Sequence, residues 1–255
     1  MSVEDLRWVA QYNYGHFTSM RVENGSVHGL GLHLERLDRD ARTVFGKGLD
    51  PEVIRRAIRA ELGDRTGPVT VRVNVFSHEV GMARPDAVVT PELLVTVRDA
   101  PDLPTTALRV RSVEYERDLP EVKHVGTFGL LRHRRLARLD GYDDALLLDR
   151  RGRISEGTIW NVAFFDGDRV IWPNAPALPG IAMRLVRAGL ERAGVPSEVR
   201  ELRLADLSSF RWAFATNEAF RTLPIASVDE TEFEVDGELN ALLRKCYEAS
   251  GPEPV

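Results

Sequence analysis

The chain has 255 residues, 43% of them hydrophobic and 29% charged, with a net charge of −5. This is ordinary globular usage, long enough for one large domain or two small ones, and the acidic balance argues against a general nucleic-acid binder. No apolar run approaches the roughly 18 residues of a membrane span, and the opening MSVEDLRWVAQYN carries acids early without an apolar core, so no secretory signal is expected.

Residues 14–22, YGHFTSMRV, read as a strand, and Glu23-Asn24-Gly25 as a hairpin-type turn. Leu34, Leu37, Ala41, Val44 and Phe45 recur at helical spacing, with Gly46 as the stop. A second helix has Asp50 as N-cap and Pro51 in its first turn, then Val53, Ile54, Ala57, Ile58 and Leu62 before Gly63. VTVRVNVFS at 69–77 alternates in the strand period, and ELLVTVR at 92–98 is another strand. Residues 1–98 therefore read as a small α+β lobe.

DAPDLPTT at 99–106, with two prolines in a polar segment, is the best linker. Residues 107–255 read as a larger lobe. It opens with a strand at 107–115, followed by the segment around Lys123 and an Arg-rich helix ending near Gly141. DDALLLD and TIWNVAFFD are strands joined across Arg150 to Glu156, and Asp166-Gly167-Asp168 turns the chain into RVIWP. A helix runs from Gly180 to Gly194 with Leu185, Val186 and Leu190 inward. RWAFAT and LPIASVD are late strands, and Asp236 caps a final helix. That helix holds Cys246, the only cysteine, so no disulfide can form within the chain and the cytoplasm is the expected compartment. The fold class is α+β in two lobes, the second richer in α/β alternation.

The most informative residue is a lysine. The chain has 34 Lys plus Arg, and the only lysines are Lys47, Lys123 and Lys245. A chain that writes nearly every cation as Arg has little generic reason to keep Lys123 between Val122 and His124. Arg can serve as a solvated charge, but only Lys forms an imine once its ammonium is desolvated or crowded. Lys123 is thus the candidate for covalent chemistry. Glu156, beside Gly157 at the head of an apolar strand, is a second candidate, although a solvated turn acid would also be ordinary there. The cluster Arg132, His133, Arg134, Arg135 and Arg138 reads as a solvated helix face.

Lys123-His124, Gly141-Tyr142-Asp143-Asp144-Ala145, Gly152 with Ile154-Ser155-Glu156, and Asn161 together resemble the class IV aminotransferases, the fold-type IV pyridoxal-phosphate enzymes. That group includes branched-chain and D-amino acid aminotransferases and aminodeoxychorismate lyase. The resemblance covers nearly the whole chain and implies a two-lobed fold-type IV architecture with pyridoxal 5'-phosphate as cofactor. It implies that Lys123 carries the cofactor and acts as acid and base, and that Glu156 sits by the pyridine nitrogen. Arg36, in the His-x-x-Arg-Leu setting of HLERL, resembles the family's phosphate arginine. Gly180-Ile181-Ala182 at a helix start and Thr216-Asn217 at a strand end resemble the two sides of the phosphate cradle, although many relatives have threonine where Ala182 stands.

On the substrate side, Tyr14, Thr18 and Phe128 are the candidates. Phe17-Thr18 resembles aminodeoxychorismate lyase, and Phe128 stands where branched-chain members carry a tyrosine. The implied reaction moves an amino group between a small amino acid or amine and a 2-oxo acid. The alternative is conversion of aminodeoxychorismate to aminobenzoate and pyruvate, and a second alternative is a non-catalytic pyridoxal-phosphate-binding protein. A homodimer is implied by the resemblance, with neither nucleic acid nor membrane as partner. Gly29-Leu30-Gly31 lacks the third glycine of a dinucleotide loop. The six histidines show no metal spacing, so no metal site is expected.

Overall fold

A computed structural model describes residues 3–255, so the first two positions of the N-terminal stretch lie outside the described residues. The chain forms two compact units. One holds the chain up to Pro101 together with Val122–Thr127 and Gly251–Val255, and the other holds Asp102–Glu121 and Phe128–Ser250. Composition points to a break only around 99–106; the short segments 122–127 and 251–255 join the first unit through hydrogen bonds made far along the chain.

The first unit contains α1 (Val3–Tyr12), β1 (His16–Val22), β2 (Ser26–His28), α2 (Leu30–Phe45), α3 (Pro51–Leu62), β3 (Val69–Phe76) and β4 (Glu92–Asp99). The sequence reading did not assign α1. β1, β3 and β4 form an antiparallel sheet in that order. The alternation in VTVRVNVF buries Val69, Val71, Val73 and Val75 in one core with Leu34, Leu37 and Ala41 of α2 and with Ile54 and Ile58 of α3. Its other face carries Arg72 and Asn74, which are half-buried. The helix ends follow their local chemistry. Asp50 accepts the Glu52 amide at 2.8 Å at the start of α3, and Gly46, at φ 73°, closes α2 on the Arg42 carbonyl. Asn24 and Gly25 take positive φ in the tight turn between Glu23 and Ser26.

The second unit runs β5 (Leu108–Glu114), α4 (Phe128–Leu139), β6 (Asp144–Leu148), β7 (Ile154–Gly157), β8 (Asn161–Phe165), β9 (Val170–Pro173), α5 (Ile181–Arg192), β10 (Ser197–Arg200), β11 (Trp212–Asn217), β12 (Arg221–Val228), β13 (Thr231–Glu232) and α6 (Gly237–Glu248). Its mixed sheet has the order β10-β9-β8-β11-β12-β5-β6-β7, with β13 on β12. The stretch TIWNVAFFD is strand only from Asn161, and the connection read before it contains a strand of its own. ISEG forms the separate strand β7, antiparallel to β6, and β8 begins only at Asn161. The chain reverses between them because the Gly157 amide bonds the Trp160 carbonyl at 2.7 Å.

The final strand, β14 (Pro252–Pro254), pairs antiparallel with β2 in the first unit. Glu253 supplies the cap that Gly29 cannot, accepting the Gly31 amide at the α2 N-terminus at 3.0 Å. No helix among the described residues is long and apolar enough to cross a membrane.

His16 on β1 is fully buried, and neither ring nitrogen has a hydrogen-bond partner. Burial, then the charges of Arg36 and Arg39, lower its pKa to about 3. The unfolded chain, with an ordinary imidazole near 6.5, binds the proton more readily. Stability contributed by this residue is therefore present above about pH 6.5 and is lost as pH falls toward 3, on the order of a few kcal/mol in total. His16→Leu should fold at neutral pH and flatten the dependence of thermal stability on pH between 6.5 and 4.5. Equal slopes for the two proteins would mean that His16 does not set the acid limit of this unit.

Candidate active site

In the first unit the site is built around β1. Lys123 lies in an irregular segment and is held by its backbone. The Phe17 amide bonds the Lys123 carbonyl at 2.9 Å, and the Val125 amide bonds the Gly15 carbonyl at 2.9 Å. The Lys123 amide bonds Asp40 Oδ2 at 3.0 Å. Asp40 is fully buried on α2, and its other oxygen takes Arg39 Nε at 3.0 Å and Nη2 at 2.7 Å. The lysine side chain then lies along Phe17, with Nζ 4.8 Å from the ring centroid.

Arg72 of β3 lies over the same ring, its Cζ 3.6 Å from the centroid. It donates from Nε to Asn74 Oδ1 at 3.0 Å. Burial, and then the nearby Arg98, lower the pKa of Arg72. The negative face of an aromatic ring stabilises cations placed on it, so one phenyl ring carries two. The sequence reading missed Arg72: it is one arginine among many, and only the strand period marks its face.

Arg36 is 3% exposed and donates to the Thr18 hydroxyl, which also pairs with His33 Nδ1 at 2.6 Å. Arg36 can only donate, so the Thr18 oxygen accepts from it. Thr18 is fully buried and its hydroxyl is engaged with Arg36 and His33. Tyr14 is half-exposed, with its hydroxyl on the Val44 carbonyl at 3.2 Å and its ring edge-on to Phe45.

In the second unit Glu156 sits on β7, 6% exposed. Arg117 Nε donates to Oε1 at 2.9 Å, and the Leu178 amide donates to Oε2 at 3.1 Å. Arg117 is itself buried and also donates to the Pro120 carbonyl. Nothing in the sequence distinguishes Arg117 from its many neighbours of the same type. Asn161 Nδ2 donates to the Leu178 carbonyl at 2.7 Å. A Cβ on Gly180 would collide with Asn161 Oδ1, so glycine is required at the start of α5.

Gly180 caps α5 without any side-chain bond, and Ile181 and Ala182 are buried behind it. Thr216 lies opposite Asn161 in the β11–β8 ladder, and its buried hydroxyl has no partner. Asn217 donates to the Ile159 carbonyl at 3.2 Å and accepts the Ala219 and Phe220 amides at 2.8 and 3.0 Å. The structure thus brings Glu156, Asn161, Gly180, Thr216 and Asn217 onto adjoining strands and loops of one sheet. Phe128 stands apart from them at the start of α4, 78% exposed. Of the basic cluster, Arg132, Arg135 and Arg138 are exposed. Arg134 instead reaches the buried Asp144 at 3.3 Å, and His133 packs on Tyr115.

These residues fit pyridoxal phosphate. The α5 start has no acid in its first turn and no side-chain cap, and the Thr216 hydroxyl is an unused donor; both suit a phosphate. Buried Arg36 supplies a cation with a bidentate fork. A buried, fixed carboxylate at Glu156 suits a cationic ring nitrogen. Among the described residues no group of His, Cys, Asp and Glu is arranged to hold a metal ion.

Comparison with known proteins identifies the fold and the family. A Rickettsia typhi protein named "Probable branched-chain-amino-acid aminotransferase" is 24% identical over 252 residues, covering 92% of this chain and 86% of its own length. A branched-chain aminotransferase from the archaeon Thermoproteus uzoniensis, solved with norvaline, superposes with a TM-score of 0.85 at 20% identity, covering 95% of this chain and 87% of that one. An aminotransferase from Brucella abortus bound to pyridoxal phosphate superposes with a TM-score of 0.82 at 22% identity, covering 94% and 90%. The architecture is that of fold type IV. The family model for amino-transferase class IV matches residues 15–228, and the chain belongs to the class IV aminotransferase family.

Proposed function

We propose that the protein is a pyridoxal-phosphate-dependent transaminase acting between an amino acid and a 2-oxo acid. The observation that carries this reading is the pairing of Lys123 with Arg72 on the Phe17 ring. It sets against one ring an amine and a cation that suits a carboxylate. When bound, the cofactor supplies an electron sink for charge developing at the substrate α-carbon.

Lys123 Nζ would be the residue that holds the cofactor and, once released, would take up and return the α-proton. In the second unit Thr216 and the amides of Ile181 and Ala182 would hold the phosphate, with Asn217 fixing the turn beside them, and in the first unit Arg36 is the cation suited to it. Glu156, with each oxygen fixed by Arg117 or Leu178, would meet the cofactor's ring nitrogen and keep it protonated. Arg72 binds the carboxylate that amino acids and 2-oxo acids share and that simple amines lack.

Borohydride reduction in the presence of pyridoxal phosphate should fix the cofactor to Lys123, read by peptide mapping; a label on Lys47 or Lys245 would overturn the assignment. An assay with amino acids and 2-oxo acids should show amino transfer. Pyruvate release from aminodeoxychorismate without amino transfer would replace this reading by the lyase.

Arg72→Ala should raise KM for the 2-oxo acid about tenfold or more, the scale of a hydrogen bond to a charged group, with cofactor affinity little changed. Arg72→Lys should restore it only partly, since a point charge lacks the planar fork. An unchanged KM in Arg72→Ala would remove Arg72 from the substrate site.

Glu156→Gln keeps size and hydrogen bonding but removes the charge. It should still fold and still be labelled at Lys123, yet lose turnover by roughly a hundredfold, the scale of one preorganised charge in a dry site. Near-normal turnover with a normal melt would make Glu156 a structural acid only.

A further inference from the structure

The turn at residues 157–160 follows Glu156 directly, and it is anchored by a carboxylate from another strand. Asp144 opens β6 and is 2% exposed. Its Oδ1 accepts the Thr158 hydroxyl at 2.5 Å, and its Oδ2 accepts the Trp160 indole N–H at 3.1 Å. Arg134 Nε lies 3.3 Å from Oδ2 and balances the charge. Thr158 and Trp160 are themselves buried. The indole folds back on the turn so closely that a Cβ at Gly157 would collide with it.

Three links lead outward from this turn to the groups assigned above. On its N-terminal side is Glu156, whose Oε2 takes the Leu178 amide at 3.1 Å. On its C-terminal side is Asn161, whose Nδ2 donates to the Leu178 carbonyl at 2.7 Å. Glu156, the turn, Asn161 and Leu178 therefore form a closed ring of covalent and hydrogen bonds. At the tip, the Ile159 carbonyl accepts Asn217 Nδ2 at 3.2 Å.

We propose that Asp144 is a positioning residue: by pinning the Thr158 and Trp160 side chains of the 157–160 turn it fixes the Glu156 carboxylate. The proposal rests on the reading of Glu156 as the partner of the cofactor ring nitrogen. A carboxylate must be placed to a few tenths of an ångström to serve a ring nitrogen, and supporting hydrogen bonds supply that placement. Removing one acceptor at Asp144 leaves a buried donor without a partner and loosens the ring of bonds at its anchor.

The first test needs no cofactor. Hydrogen–deuterium exchange should show the Gly157 and Leu178 amides exchanging at least tenfold faster in Asp144→Asn than in the unaltered protein, with the β8 and β9 amides unchanged. Unaltered exchange at Gly157 and Leu178 would overturn the proposal. Should Asp144→Asn fail to fold, Trp160→Phe removes a single donor and keeps the ring's bulk, and is judged by the same criterion.

The second test is a cycle read by titration with pyridoxal phosphate. Asp144→Asn should weaken binding about fivefold or more on its own and add nothing in the Glu156→Gln background, because it acts through that residue. Losses that multiply in the double variant would show a separate structural role and overturn the proposal. An unaltered protein that takes up no pyridoxal phosphate defeats the assignment of the cofactor site instead, and the exchange result alone then decides whether Asp144 positions Glu156.

Discussion

Buried carboxylates, each paired on both oxygens, hold this chain still wherever regular structure does not. Leaving such a charge unpaired costs about 3–5 kcal/mol, so each one forces its partners into place. Asp40 ties the Lys123 amide to α2 while Arg39 neutralises it. Asp144 fixes the 157–160 turn. Asp149, 1% exposed, shapes the β6–β7 turn by accepting the Arg151 and Arg153 amides and the Arg153 guanidinium. Burial alone would raise its pKa, but the bonds to Arg153 and Arg151 outweigh that and hold it below the usual range. Glu156 belongs to the same class, with Arg117 and Leu178 as its partners. It differs in also being able to meet a ligand's charge.

Elements whose signal is local were legible in the sequence. The valine alternation of β3, the Asp50-Pro51 start of α3 and the glycine stop of α2 each declare themselves within a few residues. β7 does not. ISEG is too short to show a period, and its identity as a strand comes from pairing with β6. The break at Trp160 was equally hidden, since it depends on Asp144 receiving the indole. In the site, Lys123 stood out because lysine is scarce, and Arg36, Glu156 and Gly180 because a motif surrounds them. Arg72, Arg117 and Asp40 carry no local mark. Each acquires its role from a partner far away in sequence, and a single sequence does not record such pairs.

The heavy use of arginine has a structural consequence. Arg36, Arg117 and Arg153 are largely buried, and each spends its donors on fixed acceptors. A planar fork does this well, and a flexible ammonium does it poorly. The same preference makes the lysine at 123 distinctive, because its amine is what an arginine could not supply.

Lys123 is flanked in sequence by Glu121 and Phe128, which belong to the second unit, yet it belongs to the first. Its segment is therefore held by the Lys123 carbonyl on the Phe17 amide, the Lys123 amide on the Asp40 carboxylate and the Val125 amide on the Gly15 carbonyl. Anchoring by main-chain bonds places Lys123 without drawing on its side chain, which lies along the Phe17 ring.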